Sequence, residues 1–308
     1  MKTKEYYSNG KLLISGEYFV LNGALALAVP VKFGQFLEVT ESDNTEIINW
    51  KSFENNKLWF TANFRKNNFE ILSSNDREIA KNLSEIFSIA STYNNNFLRT
   101  TVGLQVNSNL NFNRKFGLGS SSTLISNIAY WADVDPYKLN EQAFKGSGYD
   151  IACARSNKPI LYQLKNELPE QFDVSFIPDF NGNIYFVYLG KKQSSLKSIN
   201  DFRRHYEHDA KTIDLISELT KELAFAKRLD DFEKAIVEHE TIVSKAIKKK
   251  RIKDSYFSDF EGEIKSLGAW GGDFIMVTSN LSYDKVMEYF KKRKLKIIYS
   301  FDEMVKNG

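Results

Sequence analysis

The chain has 308 residues, and 42 basic against 39 acidic side chains leave a formal net charge of +3. That near balance excludes nucleic acid as the main partner, and 42% hydrophobic with 26% charged residues is an ordinary globular composition. The length suits one large domain or two of common size.

The lone cysteine, Cys153, excludes an intramolecular disulfide and suits a reducing cytoplasm, the expected location. No apolar run approaches the roughly 20 residues that cross a bilayer, so no membrane partner is expected. The first residues, MKTKEYYSNGKLLISGEY, lack the apolar stretch of a secretory signal.

In chain order, the first half reads mostly as strands. Residues 12–15, 24–31 and 35–40 are short apolar or alternating runs bounded by Gly, Asn and Asp. Residues 58–64 and 69–72 repeat the pattern across a polar RKNN turn. Ile79, Leu83, Ile86, Phe87 and Ala90 then share one helical face. Residues 101–106 alternate again, and Leu124, Ile125, Ile128, Ala129 and Trp131 describe a second helix. Asp135-Pro136 is a helix start, an N-cap followed by proline.

Further on, residues 159–164 and 184–189 read as strands, with a loop holding Pro169 and Pro178 between them. Residues 198–228 and 230–250 are charged and amphipathic, which predicts two surface helices. Residues 264–278 form a strand interrupted by GAWGGD, 283–292 a helix and 295–300 a last strand. A boundary near residue 168 divides the chain into 1–168 and 169–308.

The stretch KFGLGSSSTL, Lys115 to Leu124, joins a strand-like segment to a helix-like one. The first turn of a helix offers N–H groups without internal partners, and the dipole adds about half a positive charge there. Gly117 and Gly119 let the backbone curl close to a ligand, so the stretch reads as a phosphate cradle or as a serine N-cap after a glycine turn. Ser120, Ser121, Ser122 and Thr123 add hydroxyls able to meet phosphate oxygens or magnesium. It is neither a P-loop, since no Gly-Lys-Ser/Thr closes it, nor a dinucleotide fingerprint, since Ser122 stands where the third glycine belongs.

Two other stretches carry chemistry. NGKLLISGEYFVLNG sets Lys11 at a strand start and Glu17 in the turn that ends it. Taken alone, Lys11 is either a strand-edge lysine or the partner of a carboxylate or phosphate. GSGYDIACA places Asp150 among small and apolar residues, as a helix cap or as a group that takes or orients a hydroxyl proton. His205 and His208 read as a surface pair and Cys153 as buried packing.

These stretches, taken in order, resemble the small-molecule kinases named for galactokinase, homoserine kinase, mevalonate kinase and phosphomevalonate kinase, the GHMP kinases. Residues 9–18 are similar to the family's PGKLxxxGEYxV motif with Asn9 in place of proline, and residues 117–122 to GLGSS. Residues 268–273, GAWGGD, are similar to the third, glycine-rich motif, with Trp270 in place of a glycine; Leu267 stands where serine is common. The GEY spelling and the GSGYD segment most resemble the phosphomevalonate kinase branch.

The resemblance implies an α+β, two-domain fold, the N-terminal domain like the second domain of ribosomal protein S5 and the C-terminal domain ferredoxin-like. It implies ATP and Mg²⁺ as cofactors and phosphomevalonate as acceptor, with mevalonate kinase, a sugar kinase or a ligand sensor that has lost turnover as alternatives. ATP phosphates would sit on Gly117, Leu118, Gly119, Ser120, Ser121 and Ser122, with Ser121 or Ser122 holding Mg²⁺. Asp150 and Lys11 would be catalytic. Glu17, Gly148, Ser195, Lys197, Gly271 and Gly272 would contact substrate or support the site. Lys191, Lys192, Arg203 and Arg204 are further cations suited to a phosphorylated acceptor. Monomer and homodimer both stay open.

Overall fold

A computed structural model describes residues 2–144, 146–191, 195–270 and 272–308, the side chains of Ser195 and Leu196 excepted. The chain forms two compact units. The first comprises residues 1–10, 33–114 and 119–155, and the second residues 11–32, 115–118 and 156–308.

Two long strands, β1 (Thr3–Ser15) and β2 (Ala26–Ser42), pair with each other and run through both units. In the first unit the end of β2 adjoins β3 (Ile47–Glu54), β4 (Lys57–Arg65), β5 (Ile71–Ser74) and β6 (Gly103–Leu110), in the order β5-β4-β3-β6-β2. β3 runs parallel to β6, while β2 meets β6 antiparallel with Gln35 opposite Leu110. The sheet is therefore mixed. β3, IINWKSFE, escapes the sequence reading because its inward residues, Ile48, Trp50 and Ser52, include a polar one.

Among the described residues of this unit lie α1 (Arg77–Tyr93), α2 (Ser120–Ala132), α3 (Pro136–Ala143) and α4 (Tyr149–Arg155). Asp135 caps α3 by accepting from Tyr137, as the sequence predicts, and Asp76 caps α1 by accepting from Glu78 and Ile79. The apolar faces of α1 and α2 bury Leu83, Phe87, Ile125 and Ile128 in one core with Ile48, Trp50 and Val106.

In the second unit the start of β2 pairs with β7 (Ile160–Lys165), which pairs with β8 (Leu168–Asp173). Proline argues for a loop at 168–173, yet β8 is an edge strand, where a missing N–H disturbs no further ladder. A separate antiparallel sheet orders β10 (Ile264–Ser266), β11 (Phe274–Thr278), β9 (Ile184–Tyr188) and β12 (Ile298–Ser300).

The helices of this unit are α5 (Ser195–His205), α6 (Ala210–Phe225), α7 (Leu229–Ile247), α8 (Ile252–Tyr256), α9 (Tyr283–Lys292) and α10 (Phe301–Met304). The single helix expected over 198–228 is two. Asp209 breaks it by capping α6, accepting from Lys211 and Thr212, so His208 falls in the break and does not share a helix face with His205. Nor are α6 and α7 merely surface helices: they pack on each other and bury Ile216, Leu219, Phe232, Ile236 and Val243.

Candidate active site

In the second unit three of the sequence motifs meet at Gly117. Lys11 donates from its backbone N–H to the Leu118 carbonyl at 2.9 Å and from Nζ to the Gly117 carbonyl at 3.1 Å. A Cβ at position 117 would fall against the Asp273 carboxylate, and φ is 70°, so glycine is required there twice over. Asp273, itself at φ 51°, is the last residue of GAWGGD, and its backbone N–H donates to the Lys191 carbonyl at 2.6 Å. Thus a lysine, a glycine turn and an aspartate converge from residues 11, 117 and 273. Lys191, one of the cations expected near a phosphorylated acceptor, adjoins them through its backbone.

In the first unit Gly119, at φ 89°, opens α2 with no side-chain cap, and its carbonyl accepts from Thr123 N and Ser122 Oγ, each at 2.9 Å. The first turn therefore keeps N–H groups free of a capping side chain, the condition for anion binding. Ser121 is exposed and Ser122 buried. Asp150 lies half-buried in the first turn of α4, its Oδ1 accepting from Ile151 N at 3.0 Å, with Gly148 just before it at φ 89°.

α4 packs on α2, and Arg155 fastens the pair by covering the Tyr130 ring and donating to the Ser126 carbonyl. Cys153 is wholly buried between small neighbours. Burial first, then the charges of Cys153, Asp135 and Asp150, push the Tyr137 phenol up to about 12, so a neutral tyrosine lies near the aspartate at any physiological pH.

Other expected residues divide differently. Lys197 is an exposed residue of α5, Ser195 begins that helix, and Gly272 is buried beside Asp273. Gly271 and Lys192 lie outside the described residues. Trp270, at φ 37°, is 3% exposed and packs with Tyr18, Phe19 and Phe202. Its burial holds an unfavourable backbone conformation for so large a side chain.

Glu17 is also enclosed. Its Oε1 meets Lys265 Nζ at 2.5 Å, and Lys265 Nζ stands 3.7 Å from Glu240 Oε1. Gly16 N donates to His239 Nε2 at 3.1 Å, which places the ring proton on Nδ1. Burial, then the Lys265 charge, push the His239 pKa well below its ordinary value, so its 3.4 Å approach to Glu17 is a contact with a neutral ring and not an ion pair. Burial raises Glu17, while Lys265 pulls it back. Burial carries Glu240 up to about 8 against the same lysine, so Lys265 and Glu17 balance while Glu240 keeps its proton.

Sequence reasoning leaves Lys265, His239 and Glu240 out, although both signals exist. His239 and Glu240 fall on the buried face of α7 with Phe232, Ile236 and Val243, and Lys265 interrupts an apolar strand.

Comparison with solved structures bears on this geometry. Methanococcus jannaschii mevalonate kinase matches with TM-score 0.71 and 17% identity, covering 100% of this chain and 99% of that one. The chain has the GHMP kinase fold. Streptococcus pneumoniae phosphomevalonate kinase, solved with phosphomevalonate and AMPPNP, matches with TM-score 0.71 and 14% identity over 96% of this chain and 99% of that one. Lactococcus lactis galactokinase complexed with galactose gives 0.66 and 11% over 100% and 94%. No protein-family model matches the sequence, and no curated protein matches it either. The expected α+β architecture is met, and the GHMP kinase fold spans the full length of the chain. Among the described residues no helix is long and apolar enough to cross a membrane.

Proposed function

We propose that this chain is an ATP-dependent kinase of the mevalonate pathway that transfers the γ-phosphoryl group to phosphomevalonate. The observation that carries the reading is the meeting of Lys11, Gly117 and Asp273, three motifs far apart in sequence that converge on one glycine turn. Phosphomevalonate and AMPPNP in one structural neighbour and R-mevalonate in the Leishmania major mevalonate kinase support the substrate class.

The residues present fit a nucleotide. The uncapped first turn of α2 and the glycine backbone at 117 and 119 would receive phosphate oxygens, and the hydroxyl of Ser121 or Ser122 would help hold Mg²⁺. Bound Mg-ATP supplies the transferred group and neutralises part of its charge. Lys11 adds a cation held in place by its bond to the Gly117 carbonyl. Asp150 orients the acceptor hydroxyl and takes its proton. Ser195, Lys197, Gly148, Gly271 and Gly272 would contact the acceptor or support the site, whereas enclosed Glu17 supports the turn without touching substrate. Most of the rate then comes from positioning and electrostatics.

The test is ADP release from Mg-ATP with phosphomevalonate, mevalonate, galactose or homoserine. Turnover of phosphomevalonate, lowered about 100-fold or more in Asp150→Ala, is the expected result. Preference for mevalonate moves the reaction one step earlier, preference for galactose makes the chain a sugar kinase, and nucleotide binding without turnover of any acceptor replaces the enzyme by a sensor.

A further inference from the structure

Two elements meet at Gly117: β1, which carries Lys11, and the loop from Leu267 to Asp273 that joins β10 to β11. Both are tied down away from that meeting point by the same buried charges. Glu17 lies two residues beyond the end of β1, and Lys265 is the middle residue of β10, the stem from which the loop leaves. Lys265 joins them through Glu17 Oε1 at 2.5 Å.

α7 closes the arrangement from a third side. His239 accepts from Gly16 N at 3.1 Å, and Glu240 Oε2 accepts from Ser266 Oγ at 3.3 Å. All four side chains, Glu17, His239, Glu240 and Lys265, are fully enclosed. Nearby, Ser15 Oγ donates to Thr220 Oγ1 of α6 at 2.9 Å, and Gly16 and Tyr18 hold φ values of 85° and 63°. Gly16 has no room for a side chain, because a Cβ would meet Ala26.

We infer that Lys265 is a positioning residue: with Glu17, Glu240 and His239 it fixes the register of the Lys11 strand against the loop that ends in Asp273. An apolar core of equal volume would hold two segments together but would let each slide. A charge enclosed with one short partner has a single favourable arrangement, because any slip leaves that charge unpaired. The Gly16–Tyr18 turn needs such a constraint, since Tyr18, a non-glycine residue, is held at φ 63°. Along β1, Lys11 is four residues from Ser15, about 13 Å at strand rise, so the cluster acts on it only through the strand.

The cluster also has one group poised to disturb it. The charged groups acting on Glu240 are Lys265 from β10 and Glu17 from the turn, with Arg251 acting from beyond α7, while His239 on its own helix faces Glu17 and Gly16. Once Glu240 loses its proton, near pH 8, two carboxylates face one ammonium and Lys265 is drawn from Glu17.

This inference rests on the kinase reading for its consequence in turnover, but its structural content is tested without it. In the double variant Glu17→Gln/Lys265→Met both charges are gone, so folding is restored where either single change leaves a buried charge alone. The expected result is a melting temperature close to wild type, together with at least a tenfold loss of hydrogen-exchange protection at the amides of Gly16 to Val20. For turnover, kcat falls at least tenfold while KM for ATP changes less than threefold. Glu240→Gln, which mimics the protonated acid, extends the kcat plateau beyond the wild-type alkaline limb near pH 8. Full protection in the double variant overturns the inference, whatever the activity of the protein. Wild-type kcat in that variant overturns it too. If wild type turns over no acceptor, the kinase reading alone fails, and amide exchange still decides the positioning role.

Discussion

Two buried polar clusters, one in each unit, solve the same problem in different chemistry. In the first unit Gln35 donates to Ser108 Oγ at 2.6 Å and accepts from Thr123 Oγ1 at 2.6 Å; Asn127 donates to the Gln35 carbonyl at 2.9 Å and accepts from Ser8 at 2.7 Å. These amides and hydroxyls are neutral, and they tie α2, the helix that opens at Ser120, to β2 and β6. In the second unit the tie is the Glu17–Lys265 ion pair, with the protonated Glu240 beside it. The neutral network cannot change with pH, whereas the charged one contains an acid whose proton is held by burial. A neutral network is satisfied bond by bond, while the charged one is satisfied only as a whole.

The largest effect expected from breaking this contrast is Lys265→Met, which strands Glu17 in the core and costs about 3–5 kcal/mol in urea unfolding at pH 7. Trp270→Ala comes next. It removes the indole from the apolar wall of Tyr18, Phe202 and Val243 beside the charged cluster, and relief of the φ 37° backbone offsets only part of a loss of about 3 kcal/mol. Asn127→Ala in the neutral network leaves the Gln35 carbonyl and the Ser8 hydroxyl without their partner and costs about 2 kcal/mol, the same at pH 5 and pH 9.

The smallest effect, per unit of pH, distinguishes the two clusters most directly. Burial raises the folded pKa of Glu240 from its ordinary 4.5 to about 8, so the folded state holds a proton that the unfolded state releases. Its contribution to stability is complete below the unfolded value and is lost as pH rises towards about 8, then stays level. Wild type should therefore lose up to about 1.4 kcal/mol per pH unit across this window relative to Glu240→Gln, measured by denaturation at pH 5, 6, 7 and 8. Parallel curves for the two proteins would show that Glu240 is ionised throughout.

Much of the fold was legible because its signals are local. Asp135 caps its helix where a carboxylate precedes a proline, and Gly117 and Gly119 take the left-handed conformations that a tight approach requires. The break between α5 and α6 is not legible in the sequence, because Asp209 looks like one more charge in a charged stretch and its capping role depends on Tyr206 and Thr212 around it. β8 is hidden in the sequence because proline excludes a central strand and says nothing of an edge.

By itself the sequence determined the chemistry available: a lysine before a glycine-glutamate turn, a glycine-serine helix start, an acid among small residues and a late glycine-rich loop. Tertiary structure alone decided which of these meet. Lys11 finds the Gly117 carbonyl across 106 positions, and Glu17 finds Lys265 across 248. Side-chain pairing at such separation leaves no periodicity to read. A lysine and a glutamate are ordinarily solvated, and only the surrounding core, by excluding water, makes their pairing obligatory.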